Sequence, residues 1–105
     1  MAGTFTTPQQ AEGTEERLEK LYHVIILNDD EHTYEYVIEM LQNVFNLSHS
    51  AAMARTIEAD TTGSAIVGTY PLEEAESKRD RVHAYGPDWR MPHSRGSVAA
   101  LVEPA

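Results

Sequence analysis

A continuous run of apolar and β-branched residues, from Tyr22 to Leu27, stops abruptly at Asn28-Asp29-Asp30. Such a run bounded by turn-forming residues is typical of a central β-strand covered on at least one face. This strand restricts the chain to folds in which a sheet is covered by other elements, and the rest of the sequence predicts what those elements are.

The spacing after this strand predicts three helices and two further strands. The first helix has an N-cap or first-turn residue at Thr33 and is broken by Asn46-Leu47. The second runs from Ser48 to about Thr61 and ends in a left-handed cap at Gly63. The remaining predicted elements are a strand over 65–70, a helix with Pro71 in its first turn, an irregular loop over 88–96 and a strand over 97–102.

Apolar residues with helical spacing predict the inner faces of two helices. The predicted fold class is α+β with the order β-α-α-β-α-β, in which three helices cover a three-stranded, mainly antiparallel sheet. Residues 21–105 would form this single domain, and residues 1–20, poor in large apolar side chains, are expected to be a flexible extension. The inner stripes are Tyr34, Val37, Ile38, Leu41 and Phe45 in the first helix, and Leu72, Ala75, Arg79 and Val82 in the third.

The composition excludes several classes of function. The chain has 105 residues, no cysteine and a net charge of −9, so we expect no disulfide, no thiolate metal site and no binding to nucleic acid or anionic membranes. No apolar stretch is long enough to span a membrane, and no secretory signal is evident. We therefore expect a cytoplasmic monomer that tolerates a cationic or amine-bearing ligand.

Asn28, Asp29 and Asp30 place an amide and two carboxylates at the end of the first strand. Asp60 ends the second helix, and pairing of the first two strands would bring it towards Asn28. Together they would form an acceptor-rich spot beside apolar side chains. On pattern alone, however, Asn and Asp after a strand are better explained as turn and capping residues.

Catalytic and metal sites have little support in the sequence. His23, His32, Asp29, Asp30 and Asp60 are possible metal ligands, but no HxxH, HxH or HExxH spacing occurs. Nucleophile-elbow and nucleotide-binding glycine motifs are also missing. We therefore expect neither an enzyme nor a bound metal or cofactor.

Three blocks of sequence, in the same order, resemble the ClpS family of Clp protease adaptors. They are Tyr22–Asp30 followed by Glu35–Gln42 and Val44-Phe45, then Gly68–Lys78 (GTYPLEEAESK), and the ending Val102–Ala105. The resemblance implies a non-catalytic adaptor that binds proteins by the free α-amine and bulky apolar side chain of their first residue. It also implies delivery of these proteins to the N-terminal domain of a ClpA- or ClpC-type unfoldase.

The resemblance implies roles for individual residues. Asn28 and Asp29 match acceptors of the α-amine, and Asp60 stands where the family has a histidine acceptor. Glu73 and Lys78, with Glu35, match the surface that docks to the unfoldase, and the extension would assist delivery. The expected pocket and rim comprise Asp30, His32, Thr33, Tyr34, Val37, Thr56, Ala59, Ile26 and Val98.

Several of these positions depart from the family pattern. The usual Pro and Met before the first helix are Thr33 and Tyr34, and the Met-x-x-Val-His face of the second helix is Thr56, Ala59 and Asp60. Two outcomes remain open for the pocket: Tyr34 or the loop with Trp89 and Met91 refills the space, or the pocket stays wide. Leu, Phe, Tyr and Trp are the expected first residues, with Ile and Val as further candidates.

The departures also leave a competing hypothesis for the function. The chain could be a protein-interaction module that kept the fold and lost recognition of N-terminal residues. If the amine site is intact, the carboxylate of Asp60 stays charged over the neutral range in which a histidine changes state. We therefore predict binding from about pH 8 down to about pH 5, weakening at higher pH as the ligand amine loses its proton at a pKa of about 7.7–8.

Overall fold

The computed structural model describes residues 19–105, and the order of its elements confirms the predicted β-α-α-β-α-β fold. The predicted extension lies outside the described residues except for residues 19 and 20. Helices cover one sheet whose strand order is β2-β1-β3, with both pairings antiparallel. The elements are β1 (Leu21–Leu27), α1 (Tyr34–Phe45), α2 (His49–Thr62), β2 (Ser64–Pro71), α3 (Leu72–His83) and β3 (Ala100–Pro104).

The helix ends follow from local capping signals. Thr33 is the N-cap of α1 and accepts a hydrogen bond from Tyr36 N, while Ser48 caps α2 by accepting from Ala51 N. Gly63 ends α2 with φ of 100°, a left-handed conformation that glycine adopts without steric cost. These two N-caps and the glycine cap connect β1, α1, α2 and β2 through short turns, which brings the end of β1 close to the end of α2.

The core lies between the sheet and the helices. Val24 and Ile26 of β1 are fully buried in one core cluster with Met40 and Leu41 of α1, which are also fully buried. The predicted stripe of α1 is wrong at Tyr34, which is 44% exposed, and it omitted the buried Tyr36, Met40 and Val44. Because both neighbouring faces of α1 contact other elements, its buried surface is wider than a single stripe.

Three predicted boundaries or positions are wrong. Pro71 still pairs with Leu21 and forms the N-cap of α3, so it does not lie in the first turn. Leu72 is 41% exposed, because it stands where the strand turns into the helix. The last strand begins at Ala100 instead of Ser97: the Ser97 hydroxyl binds the carbonyls of His83 and Gly86 and holds this segment against the end of α3.

Close packing explains one glycine in the sheet. A side-chain carbon at Gly68 would lie 2.4 Å from the Tyr70 hydroxyl oxygen, so another residue there would require the Tyr70 ring to shift. The register between β1 and β2 also shifts between Val24 and Ile25 at this point. Of the helices in residues 19–105, none is long and apolar enough to cross a membrane.

Candidate functional site

A cavity opens where β1 ends between α1 and α2. Its volume is about 60 Å³, and it is lined at its inner side by buried apolar groups of Ile26, Val37 and Ala59. Val98, from the loop of residues 84–99 between α3 and β3 (the connecting loop), adds a fourth. The complete lining is Ile26, Leu27, Asn28, Asp29, His32, Tyr34, Val37, Thr56, Ala59, Asp60 and Val98.

Most of the residues predicted from the sequence for the amine site and the pocket lie around this cavity. Asp30 and Thr33 do not line it. Asp30 is exposed, and the hydroxyl of Thr33 caps α1 by accepting a hydrogen bond from Tyr36 N. Leu27 was missed, although the last residue of a strand that points at a site is a natural wall. Trp89 and Met91 do not line the cavity either, and Trp89 is 83% exposed under the guanidinium of Arg90.

Three acceptor-bearing side chains stand at the mouth of the cavity. Asn28 is fixed through its backbone N–H, which donates to the carbonyl of Gly63 at 3.0 Å. Within residues 19–105 its side-chain amide makes no hydrogen bond, so its oxygen can accept one from a ligand. This backbone bond and the adjacent pairing of Leu27 with Ser64 hold the end of β1 beside the end of α2.

The carboxylate of Asp29 is bound within the chain. Its Oδ1 accepts from the backbone N–H of Glu31 at 2.9 Å, and His32 Nδ1 lies 2.8 and 2.9 Å from its two oxygens. The other ring nitrogen of His32 lies 2.6 Å from the carbonyl oxygen of Gly96. His32 is almost fully buried, at 3% side-chain exposure, so it joins Asp29 to the connecting loop.

Asp60 already has a partner across the mouth of the cavity. The hydroxyl of Tyr34, in the first turn of α1, donates a hydrogen bond to Asp60 Oδ2 near the end of α2. This bond, followed by burial and the charge of Asp60, raises the pKa of Tyr34 above its usual 10.0. Tyr34 and Val98 line the cavity together with the smaller Thr56 and Ala59, whereas Trp89 does not line it.

Thr56 contributes little polarity to the cavity. It is 3% exposed, and its hydroxyl donates to the carbonyl of Ala52 at 2.8 Å. A threonine hydroxyl bound to its own helix needs no further partner. The cavity therefore combines an apolar interior with acceptors confined to its mouth, an arrangement suited to a ligand with a cationic end and an apolar end.

The predicted docking residues are separated in the structure. Glu73 is exposed in the first turn of α3. The ammonium of Lys78 donates to the carbonyl of Val44 at 3.0 Å and lies 5.6 Å from the Tyr70 ring centre. Glu35 lies at the other end of α1, about 14 Å along the helix axis from Val44. The structure therefore does not bring Glu35 to the surface around Lys78.

The metal-ligand candidates are dispersed as well. His23 lies in β1 and contacts Thr69 Oγ1 at 2.9 Å, away from the lining of the cavity. Across residues 19–105, no three His, Asp or Glu side chains converge in a group that could hold a metal ion. Asp29 and His32 are the one pair among the candidates in direct contact, and a carboxylate with one imidazole is not a typical protein metal site.

Comparison with known proteins supplies the family. The family model described as "ATP-dependent Clp protease adaptor protein ClpS" matches residues 17–92. An ATP-dependent Clp protease adapter protein ClpS of Nautilia profundicola is 45% identical over 64 residues, 61% of this chain and 66% of that protein. The namesake of Clostridium acetobutylicum is 43% identical over 81 residues, 75% of this chain and 80% of that protein.

A solved structure has the same fold. Agrobacterium tumefaciens ClpS2, whose structure was determined bound to L-phenylalaninamide, is 30% identical, with a TM-score of 0.71 over 83% of this chain and 99% of that one. The family model covers well over half of the sequence, and its members are adaptors and not enzymes. The chain belongs to the ClpS family of Clp protease adaptors.

Proposed function

We propose that this chain binds the first residue of other proteins and delivers them to a Clp unfoldase. The bound groups are the free α-amine and a hydrophobic side chain: Leu, Phe, Tyr or Trp, with Ile and Val as further candidates. The unfoldase would be of the ClpA or ClpC type, in the cytoplasm. One observation carries the proposal: Asn28, Asp29 and Asp60 present acceptors at the mouth of an apolar cavity.

The chemistry of an α-ammonium group fits this mouth. The group has three N–H donors and one positive charge, and three side chains with oxygen acceptors surround the opening. Hydrogen bonds between charged groups contribute roughly 1.5–3 kcal/mol each. The ligand of the related Agrobacterium protein, L-phenylalaninamide, has this combination of a free amine and an apolar side chain.

Asp60 is the most informative residue to change. We expect Asp60→Ala to weaken binding of a Leu-starting peptide by at least about tenfold, since it removes one charge-assisted hydrogen bond. Isothermal titration calorimetry compares the affinity of the unaltered chain and of Asp60→Ala for the free peptide and for the N-acetylated peptide. Acetylation removes the charge and two donors, so the acetylated peptide should not bind. Equal binding of the two peptides would refute recognition of the amine.

The pH dependence provides a second test of the same site. Binding of the Leu-starting peptide should stay constant between about pH 5 and about pH 8. It should weaken above about pH 8, because the ligand amine loses its proton at a pKa of about 7.7–8. A steep loss between about pH 7 and about pH 6 would instead point to a histidine acceptor and against Asp60.

A second candidate function has one observation in its favour. Asp29 and Asp60 each already accept a hydrogen bond from the chain itself, from His32 and Tyr34 respectively. A module that lost recognition of N-terminal residues could use these acceptors only for its own stability. Such a module would bind the unfoldase domain and would bind neither the Leu-starting nor the Phe-starting peptide.

A further inference from the structure

The ring of His32 faces a hydrogen-bond acceptor at each of its two nitrogens. Nδ1 lies 2.8 and 2.9 Å from the two carboxylate oxygens of Asp29, and Nε2 lies 2.6 Å from the carbonyl oxygen of Gly96. A neutral imidazole has one N–H donor and one unprotonated nitrogen, whereas an imidazolium ion has two donors. Because an ionised carboxylate and a carbonyl have no hydrogen to donate, only the charged ring makes both bonds.

Burial makes the protonation of this ring important. The side chain of His32 is 3% exposed and lies against Tyr36 of α1, with 4.6 Å between the two ring centres. A neutral ring in this place would set an unprotonated nitrogen against an oxygen at hydrogen-bond distance, where the lone pairs repel each other. A buried charge is tolerated where it is paired and hydrogen-bonded, and the carboxylate of Asp29 provides both.

The titratable side chains around the ring favour its charged form. Of the acids, Asp29 touches the ring and the others lie in the same turn, while the two basic side chains are exposed and, within residues 19–105, make no hydrogen bond to it. These side chains are Asp29, Asp30 and Glu31 in the turn after β1, Tyr36 in α1, and His93 and Arg95 in the connecting loop.

We infer that His32 is an imidazolium ion at neutral pH and that it positions Asp29 and the connecting loop as one unit. Asp29 Oδ1 also accepts from the backbone N–H of Glu31, so the carboxylate is held from two sides. Oδ2 has only its bond to the ring and keeps lone pairs for a ligand. Gly96, the other partner of the ring, lies two residues before Val98, a wall of the cavity.

Two longer contacts join the same turn and loop. The backbone N–H of Arg95 donates to Glu31 Oε1 at 3.4 Å, and His93 Nε2 lies 3.3 Å from the carbonyl oxygen of Asp30. The bonds of His32, at 2.6–2.9 Å, are shorter than both. Hydrogen bonds of a charged donor are shorter and stronger than neutral ones, which agrees with the charged ring. The imidazolium is therefore the strongest of these three links.

Two-bond proton–nitrogen NMR spectra of the full chain at neutral pH report the protonation of both ring nitrogens in each of the five histidines. We expect both nitrogens of His32 to carry a proton, and His32→Ala identifies its signals by their loss. His83 provides the opposite reference within the same spectrum. Its Nε2 accepts from the backbone N–H of Ala100 at 3.1 Å and should therefore be unprotonated.

Asp29→Asn tests the cause of the charge. It removes the charged acceptor at nearly constant size, so His32 should lose one ring proton at neutral pH, as a free histidine does above about pH 6.5. Glu31→Gln is the matched control, because it removes the same charge from the same turn and its carboxylate bonds Arg95 N instead of the ring. Both protons of His32 should remain in this variant.

The positioning role is tested with a Leu-starting peptide, and this step rests on the proposed function. In titration calorimetry, Asp29→Asn should weaken binding by at least about threefold, because the acceptor loses its charge and its fixed orientation. Glu31→Gln should weaken it by less than about twofold. Far-ultraviolet circular dichroism checks that both variants fold.

The outcomes separate the charge of His32 from the function of the site. An unprotonated ring nitrogen in the unaltered chain would overturn the imidazolium, and this spectrum decides the point even if a variant does not fold. A charged ring combined with equal peptide affinity in Asp29→Asn and the unaltered chain would overturn only the positioning role. Failure of the unaltered chain to bind the peptide would refute the proposed function, while the spectra would still establish the charge of the ring.

Discussion

Asp88 accepts two hydrogen bonds from Thr33, one from its backbone N–H at 2.7 Å and one from its hydroxyl at 2.8 Å. The backbone N–H and the guanidinium of Arg90 donate to the other carboxylate oxygen at 3.0 and 3.2 Å. Burial raises the pKa of Asp88, but these four donors outweigh it and lower the pKa from 3.8 to about 2. Asp88 thus ties the connecting loop to the N-cap of α1.

The lowered pKa makes Asp88 a source of pH-dependent stability. Because the folded state holds the charged form, its contribution is present above the unfolded pKa of 3.8 and is lost as pH falls through about 2. The difference corresponds to about 2 kcal/mol. We expect Asp88→Asn to lower the free energy of unfolding by about this amount at neutral pH, measured by urea denaturation, with the deficit shrinking towards about pH 2.

Asp80→Asn is the matched control for this prediction. Its side chain is 68% exposed and, within residues 19–105, pairs only with its neighbour Arg79. Its loss should change the free energy of unfolding by less than about 0.5 kcal/mol. If the Asp88 and Asp80 variants lost stability equally, the network around Thr33 would not contribute as proposed.

His32 links the amine acceptor Asp29 to the connecting loop, and its removal should affect binding as well as stability. Both ring nitrogens face acceptors, Asp29 and the Gly96 carbonyl. We expect His32→Ala to lower the free energy of unfolding by about 1–3 kcal/mol, as for loss of buried hydrogen bonds. The affinity for a Leu-starting peptide should also fall, because the Asp29 carboxylate loses one of its two partners and keeps only the backbone N–H of Glu31.

The readout must separate the two effects of His32→Ala. Peptide titrations are therefore made without denaturant at a temperature where the variant is fully folded by circular dichroism. His23→Ala serves as the control, since His23 makes one hydrogen bond to Thr69 on the sheet and does not line the cavity. Full peptide affinity in His32→Ala would show that Asp29 keeps its position without the histidine.

Local signals in the sequence predict the elements and most of the cavity, but not the contacts that support it. The stop at Asn28, the cap at Ser48 and the turn at Gly63 each depend on a few neighbouring residues. They suffice to bring the ends of β1 and α2 together. This explains why the sequence alone predicts that Asn28 and Asp60, which are 32 positions apart, lie near each other.

The supporting contacts join residues too far apart for any local pattern. Thr33 and Asp88 are 55 residues apart, and His32 and Gly96 are 64 apart. A lone aspartate in an irregular loop gives no signal that it is buried. Tyr34 gives no such signal either. Its spacing fits the inner stripe of α1, but its hydrogen-bond partner, Asp60, lies on another helix.

The bond between Tyr34 and Asp60 should be visible in the titration of the tyrosines. The hydroxyl donates to Asp60 only while protonated, and this raises the pKa of Tyr34 above 10.0. Tyr34 should therefore form its phenolate at a higher pH than free tyrosine does. The difference in tyrosinate absorbance between the unaltered chain and Tyr34→Phe isolates this one group among the five tyrosines.

The same titration in the Asp60→Asn variant shows whether Asp60 causes the raised pKa of Tyr34. It removes the charge and weakens the acceptor, so the Tyr34 midpoint should fall towards 10.0. The bond contributes to stability below about pH 10 and is lost as pH rises through the raised pKa. An identical midpoint in both backgrounds would mean that the two side chains are not bonded in solution.

Docking to the unfoldase is best tested at Glu73, not at Lys78. Lys78 binds the Val44 carbonyl at the end of α1, so Lys78→Ala should itself cost about 0.5–1.5 kcal/mol of stability. Glu73 is an exposed first-turn residue of α3, and charge reversal there forfeits only a helix-dipole contribution of about 0.3–1 kcal/mol. Glu73→Lys should weaken binding to an isolated ClpA or ClpC N-terminal domain by about tenfold or more.

Glu74→Lys is the matched control for this change. Glu74 lies in the same first turn of α3 and loses the same dipole interaction, but it points about 100° away around the helix axis. Calorimetry with the unfoldase domain should therefore find a much smaller effect than for Glu73→Lys, while both variants keep their affinity for a Leu-starting peptide. Equal weakening by the two variants would indicate attraction to the overall negative charge of the adaptor instead of a contact at Glu73.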